Sequence, residues 1–73
     1  MGQLTAVFDK RPNGWWIAYI EELPGVNTQG ATRDEARENL REALALVLET
    51  NREIAREQAA GREVIREPFA LAS

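Results

Sequence analysis

The fold of this chain is decided by residues 23–36, which read Leu-Pro-Gly-Val-Asn-Thr-Gln-Gly-Ala-Thr-Arg-Asp-Glu-Ala. Pro24 has a fixed φ and favours extended geometry in the residue before it, and Gly25 can take the positive φ that a tight turn needs after proline. Residues 26–29 can then run extended until Gly30 frees the backbone again. The stretch therefore predicts a turn at Pro24 and Gly25, followed by a short strand.

A long helix is predicted to begin directly after this strand. Thr32 stands three residues before Glu35, which is the spacing of a capping box, in which the hydroxyl and the carboxylate each accept a hydrogen bond from a free backbone N–H. From Arg33 onward, apolar residues recur at helical spacing in one stripe: Ala36, Leu40, Ala43, Leu44, Val47 and Leu48. A stripe of this width can cover one side of a small sheet.

Two further strands are predicted before this corner. Residues 4–9 are rich in strand-forming side chains, and Asn13-Gly14 is the best short signal for a hairpin turn. In the second strand, residues 15–20, side chains alternate between the two faces of the sheet. Trp15, Ile17 and Tyr19 share one face, and Trp16, Ala18 and Ile20 share the other. Both faces are apolar, and the pattern does not decide which one the helix covers.

Beyond Asn51, apolar residues at helical spacing become fewer and charged residues of alternating sign become more frequent. Gly61 is the residue expected to end the helix. Residues 62–67 are predicted to form a short strand that Pro68 ends, and residues 69–73 a short apolar tail. The order β-β-β-α-β predicts a single α+β domain over residues 1–73. It consists of a small antiparallel-type sheet with one long helix across one face.

Composition and charge exclude several classes of protein. The 73 residues include no cysteine and no histidine, so the usual ligands of zinc and haem are missing and no cofactor is expected. No apolar run approaches the roughly 20 residues of a membrane span, and the N-terminus lacks a signal-peptide pattern, so we expect a cytoplasmic protein. The net charge of -3 and the pI of 4.9 disfavour direct binding of nucleic acid and favour a basic protein partner.

Chain length and the doubly apolar strand both favour contact with a second molecule. Below about 80 residues, apolar burial and chain ordering nearly cancel, so we expect a homo-oligomer. One helix cannot cover a strand that is apolar on both sides. The candidate interface residues are Trp15, Trp16 and Tyr19, because tryptophan and tyrosine supply much of the binding energy of interfaces. The alternative is that one tryptophan is core and the other covers the hairpin.

Several short motifs occur together within residues 4–50. They are Leu23-Pro24-Gly25, Thr28-Gln29-Gly30, Thr32, Glu35-Ala36 and Asn39, preceded by Asn13-Gly14-Trp15-Trp16. This set resembles the HicB-like antitoxin family, although Val26 and Ala31 stand where that family often has cysteine and aspartate. The resemblance implies a truncated ribonuclease-H-like or double-stranded-RNA-binding-domain-like fold. We expect the N-terminal domain of that family alone, without the DNA-binding domain of many longer members.

The resemblance also implies a function, that of an antitoxin that forms homo-oligomers and covers a small basic toxin, a HicA-type mRNA-cleaving ribonuclease. One alternative is an orphan oligomeric scaffold or regulator of unknown ligand. A third hypothesis is a small metal-dependent nuclease that uses carboxylates such as Asp9, Glu21 and Glu22. Glu21 and Glu22 are neighbours on an extended segment and point apart, which suits a shared metal poorly. We therefore expect no catalytic residues and no enzyme activity.

Overall fold

The computed structural model describes residues 4–69. Three strands come first, β1 (Ala6–Lys10), β2 (Trp16–Ile20) and β3 (Asn27–Gly30), and one helix follows, α1 (Arg33–Ala59). The strands form an antiparallel sheet in the order β1-β2-β3. The predicted α+β class, with one small sheet and one long helix, is confirmed. The strand ends differ from the predicted ones by one or two residues.

The two predicted turns form at glycines with positive φ. Gly14 (φ 90) lies in the hairpin between β1 and β2, and Gly25 (φ 93) follows Pro24. The N–H of Val26 donates to the carbonyl of Leu23 over 3.3 Å, which closes the second turn. Side chains with a Cβ are strained at such φ values, so both connections depend on glycine.

The start of α1 is held by the predicted cap. The N–H of Glu35 donates to the hydroxyl of Thr32 over 3.0 Å. The carboxylate of Glu35 accepts from the N–H of Ala31 over 3.1 Å, one residue earlier than the N–H that a capping box ordinarily uses. At the other end, Gly61 takes a φ of 80 just beyond the helix, as predicted for a terminating glycine.

The first turns of α1 lie very close to β3. A Cβ on Gly30 would lie 2.5 Å from the backbone nitrogen of Ala36, so only glycine allows the helix to approach the strand this closely. One turn further on, the Asn39 side-chain amide donates to the carbonyl of Gln29 over 2.9 Å. These contacts fasten the helix to the β3 side of the sheet.

The core between helix and sheet is small. Its buried apolar residues are Ala18, Ile20, Val26, Ala36 and Leu40. Val26 is the largest side chain that is fully buried. The radius of gyration is 15.7 Å and the extents are 52 × 28 × 16 Å, whereas a compact chain of this length has a radius of about 11 Å. The molecule is elongated because the 27-residue helix, about 40 Å long, runs well past the sheet.

The predicted fourth strand is wrong for the residues that the structure describes. Residues 62–67 follow the helix end without strand pairing, and Ile65 is 90% exposed. These residues are of strand-forming types, but they have no neighbouring strand to pair with, because the helix places them far from the sheet. Phe69, which begins the predicted apolar tail, is 94% exposed, and the rest of that tail, residues 70–73, lies outside the described residues.

Candidate protein-binding face

One face of the sheet is turned away from α1. Ala18 and Ile20 pack against the helix, so the odd-numbered residues of β2 lie on the opposite face. Cross-strand pairing places Val7 beside Tyr19, and Asp9 and Gln29 on either side of Ile17. We call this surface the open face and define it by Val7, Asp9, Trp15, Ile17, Tyr19 and Gln29. No described element covers it.

The predicted interface residues divide between the two faces. Trp15 is 42% exposed and Tyr19 is 39% exposed, and both belong to the open face. Trp16 lies on the helix side, where it packs against the core, with the Lys10 ammonium 6.0 Å from its ring centroid. For Trp16 the structure therefore supports the alternative, a tryptophan that contributes to the core. The interface role of Trp15 and Tyr19 stays a prediction.

The hairpin end of the open face is concave. A shallow depression of about 520 Å³ is lined by Arg11, Pro12, Asn13, Trp15, Ile17 and Gln29. The Arg11 guanidinium donates to the Asp9 carboxylate over 3.1 Å, and both side chains are half exposed. The surface thus combines an aromatic and aliphatic centre with a polar rim, which is the usual composition of protein–protein interfaces.

Two of the three carboxylates considered for metal chemistry, those of Asp9 and Glu22, have local partners. Glu22 accepts from the N–H of Thr5 over 2.7 Å and from its hydroxyl over 2.6 Å. These hydrogen bonds, the hydroxyl first, lower the pKa of Glu22. Asp9 and Glu21 lie near opposite ends of the β1–β2 hairpin. Asp9 pairs with Ile17 near the turn, whereas the backbone N–H of Glu21 donates to the carbonyl of Thr5 at the other end. Among residues 4–69, no group of three or more potential metal-binding side chains comes together.

Sequence reasoning missed the role of Asn39. Its side chain donates to the carbonyl of Gln29, which belongs to an edge strand of the sheet. The available signal was a polar residue between Ala36 and Leu40 on the helix, but the acceptor is ten residues away and depends on how the helix crosses the sheet. Asn39 therefore covers part of the β3 edge.

The fold and the open face define a small two-layer α+β protein in which one helix packs on one face of a three-stranded sheet. Within the described part of the chain, no helix is both long and apolar enough to cross a membrane. The chain belongs to the UPF0150 family. It is 30% identical over 63 residues to a UPF0150 protein of Archaeoglobus fulgidus, covering 86% of this chain and 91% of that protein.

Two further relatives have the same family name. The chain is 34% identical over 59 residues to the UPF0150 protein Ta0767 of Thermoplasma acidophilum, covering 75% of this chain and 86% of the relative. It is 38% identical over 47 residues to the UPF0150 protein ssl0738 of Synechocystis, covering 64% and 65%. No family model and no solved structure matches the chain.

Proposed function

We propose that this chain is a protein-binding module of the HicB-like antitoxin type, which self-associates and covers a small basic mRNA-cleaving toxin of the HicA type. The observation that carries the proposal is the open face, where aromatic and aliphatic side chains lie on the side of the sheet that α1 does not cover. The motifs shared with HicB-like antitoxins supply the identity of the partner. A toxin that cleaves mRNA acts in the cytoplasm, so we propose the same location for this chain.

The chemistry of the open face suits protein recognition. Trp15 and Tyr19 each combine a large apolar ring with one polar group, which usually finds a hydrogen-bond partner when it is buried in an interface. Such residues contribute most of the binding energy when they lie near the centre of an interface. The net charge of -3 favours association with a basic protein and speeds encounter at low salt.

The small core supports self-association. Five apolar residues are buried, which is little burial to offset the ordering of more than sixty residues. A second copy would bury apolar surface that the described chain leaves exposed, including Ile65 and Phe69 in the segment after α1. Stability that depends on a partner is common in chains of this size.

The proposal predicts that a small basic protein is encoded beside this chain's gene, and this protein is the partner used in the test. The two proteins are purified separately and mixed at low salt, and affinity is measured by calorimetry. RNA cleavage by the basic protein is followed with and without one equivalent of this chain. We expect a complex and loss of cleavage. Tyr19→Asp should weaken the complex by about tenfold or more, since it places a charge in the buried centre of the interface.

Leu46→Asp is the matched control, because Leu46 is 68% exposed on the helix and does not belong to the open face. It should leave the affinity within about twofold. A basic neighbour that elutes separately from this chain, or equal effects of the two substitutions, would refute toxin binding through the open face. A gene neighbourhood without a small basic protein would favour the orphan scaffold instead.

A further inference from the structure

The outer edge of β1 is available for pairing. In the sheet formed by residues 4–69, β1 pairs with β2 and with no other strand. The N–H of Glu21 donates to the carbonyl of Thr5 over 2.9 Å, and the N–H of Arg11 donates to the carbonyl of Trp15 over 2.7 Å. Hydrogen-bonded pairs alternate along an antiparallel ladder, so the odd-numbered residues of β1 bond to β2. The N–H and C=O groups of its even-numbered residues therefore point outward.

An apolar groove runs beside this edge. The groove, about 390 Å³ in volume, lies between β1 and α1 and is lined by Ala6, Phe8, Ile20, Arg37, Leu40, Arg41 and Leu44. The Arg37 guanidinium lies 5.3 Å from the centroid of the Phe8 ring, at the helix side of the groove. We call this site the edge groove. It presents apolar walls, two guanidinium groups and a line of free backbone donors and acceptors.

The segment after α1 has complementary chemistry. Residues 62–69 have no regular structure, and their large apolar side chains are among the most exposed in the molecule, with Ile65 at 90% and Phe69 at 94%. In an extended segment, Ile65, Glu67 and Phe69 share one face. That face places a carboxylate between two apolar side chains, which matches the arginines and apolar walls of the edge groove.

The segment of the same chain is poorly placed to fill its edge groove in this way. Leu40, in the middle of the groove, is nineteen residues before Ala59, the last residue of α1, so the two are about 28 Å apart along the helix axis. Ile65 is six residues beyond Ala59 and can reach at most about 20 to 22 Å from it. Ile65 of the same chain therefore falls short of Leu40, and it reaches Leu44, at the near end of the groove and about 22 Å from Ala59, only at full extension. A second copy can place Ile65 in the groove without such stretching.

Pro68 determines the direction of the added strand. Proline has no N–H, so it must lie where no ladder hydrogen bond is needed. If the segment runs antiparallel to β1 with Ile65, Glu67 and Phe69 toward the groove, these three residues bond to β1 and Pro68 points away from it. In a parallel arrangement with the same side-chain facing, Pro68 would occupy a donor position and one ladder bond would be lost.

We propose that two copies of this chain exchange their C-terminal segments, residues 62–69 of each pairing antiparallel with β1 of the other and inserting Ile65 and Phe69 into its edge groove. Glu67 then lies near Arg37 and Arg41 of the receiving copy. The inference deepens the self-association in the proposed function and gives it a surface distinct from the open face. It also explains why residues 62–67 have the composition of a strand but pair with no strand among residues 4–69 of their own chain.

The exchange is tested by cross-linking, because the chain has no cysteine of its own. Ala6→Cys marks the edge groove, Ile65→Cys marks the segment, and Leu46→Cys is an equally accessible control on α1. The variants are mixed in pairs, left to exchange, and treated with a short bifunctional maleimide. We expect the Ala6→Cys and Ile65→Cys pair to give about tenfold more cross-linked heterodimer than either variant gives with Leu46→Cys, because docking raises the local concentration.

Equal yields in all three mixtures would overturn the proposal, and so would cross-links within one chain when both cysteines are placed in the same molecule. A second measurement uses size in solution: Phe69→Asp should shift the dimer toward monomer, while Phe69→Leu should leave it unchanged. A dimer that survives Phe69→Asp unaltered would also overturn the exchange. Toxin binding is measured separately through Tyr19→Asp, so either proposal can fail while the other stands.

Discussion

The contact between Thr5 and Glu22 shows how one residue ties the start of the sheet to its second turn. The carboxylate accepts from both the N–H and the hydroxyl of Thr5, and these bonds favour its charged form. The two residues are 17 positions apart in the chain, so the contact forms only after β1 and β2 have paired. Neither residue is buried, and the contact consists of two hydrogen bonds to a charged group, which are stronger than bonds between neutral groups.

This contact predicts a pH dependence of stability. In the folded protein the pKa of Glu22 is held below its usual value of 4.5, chiefly by the hydroxyl of Thr5 and then by its backbone N–H. The stabilisation is therefore present at neutral pH and is lost as the pH falls below 4.5 through the lowered value. Wild type should be more stable than Glu22→Gln in urea titrations at pH 7, and the difference should narrow as the pH falls.

Thr5→Ala is the control for this measurement, because it removes the hydroxyl and leaves the carboxylate in place. In that background, Glu22→Gln should have a smaller effect at neutral pH. A stability difference between wild type and Glu22→Gln that stays constant from neutral to acidic pH would show that the contact does not stabilise the folded state.

At the scale of the elements, α1 has two faces in different surroundings. Leu40, on the apolar stripe, is 4% exposed, whereas Leu46, which lies about 120° away around the helix, is 68% exposed. The predicted apolar stripe is therefore a core face near the sheet, and its later members Ala43, Leu44 and Val47 are partly buried. Periodicity identified the stripe, but the length of the sheet decides how much of the stripe is covered.

The same substitution, leucine to alanine, should have different effects on these two faces of α1. Leu40→Ala should lower the free energy of unfolding by about 2–5 kcal/mol, because it removes buried methyl groups and leaves a cavity. Leu46→Ala should change it by less than about 0.5 kcal/mol. The two changes have the same effect on helix propensity, so propensity cancels in the comparison. Similar losses in chemical denaturation would mean that the face of the helix with Leu46 is buried in solution.

At the scale of the whole molecule, the elongated shape and the small core both favour association with a second copy. The chain is 52 Å long, its core is five residues, and apolar side chains lie on the open face, on α1 and on the segment after it. A fold with so little internal burial is expected to gain stability from association. The thermal midpoint should therefore depend on protein concentration.

The expected rise is at least about 5 °C over a hundredfold increase in concentration, since association favours the folded state by mass action. Differential scanning fluorimetry and calorimetry across that range provide the measurement, and Phe69→Asp should reduce the dependence if the exchanged segments form the dimer. A midpoint that is the same at all concentrations would show that the single chain is stable without a second copy.

The sequence by itself determined the parts of this protein that depend on neighbouring residues. The turns at Gly14 and Gly25 and the cap at Thr32 and Glu35 follow from backbone φ and from hydrogen bonds that span four residues or fewer. The tertiary structure alone decided that Trp16 faces the helix while Trp15 and Tyr19 do not, and that residues 62–67 pair with no strand in the described part of the chain. The alternation of side chains along a strand separates two faces, but it does not decide which face a helix covers. A strand also forms only where a second strand lies close enough to pair with it.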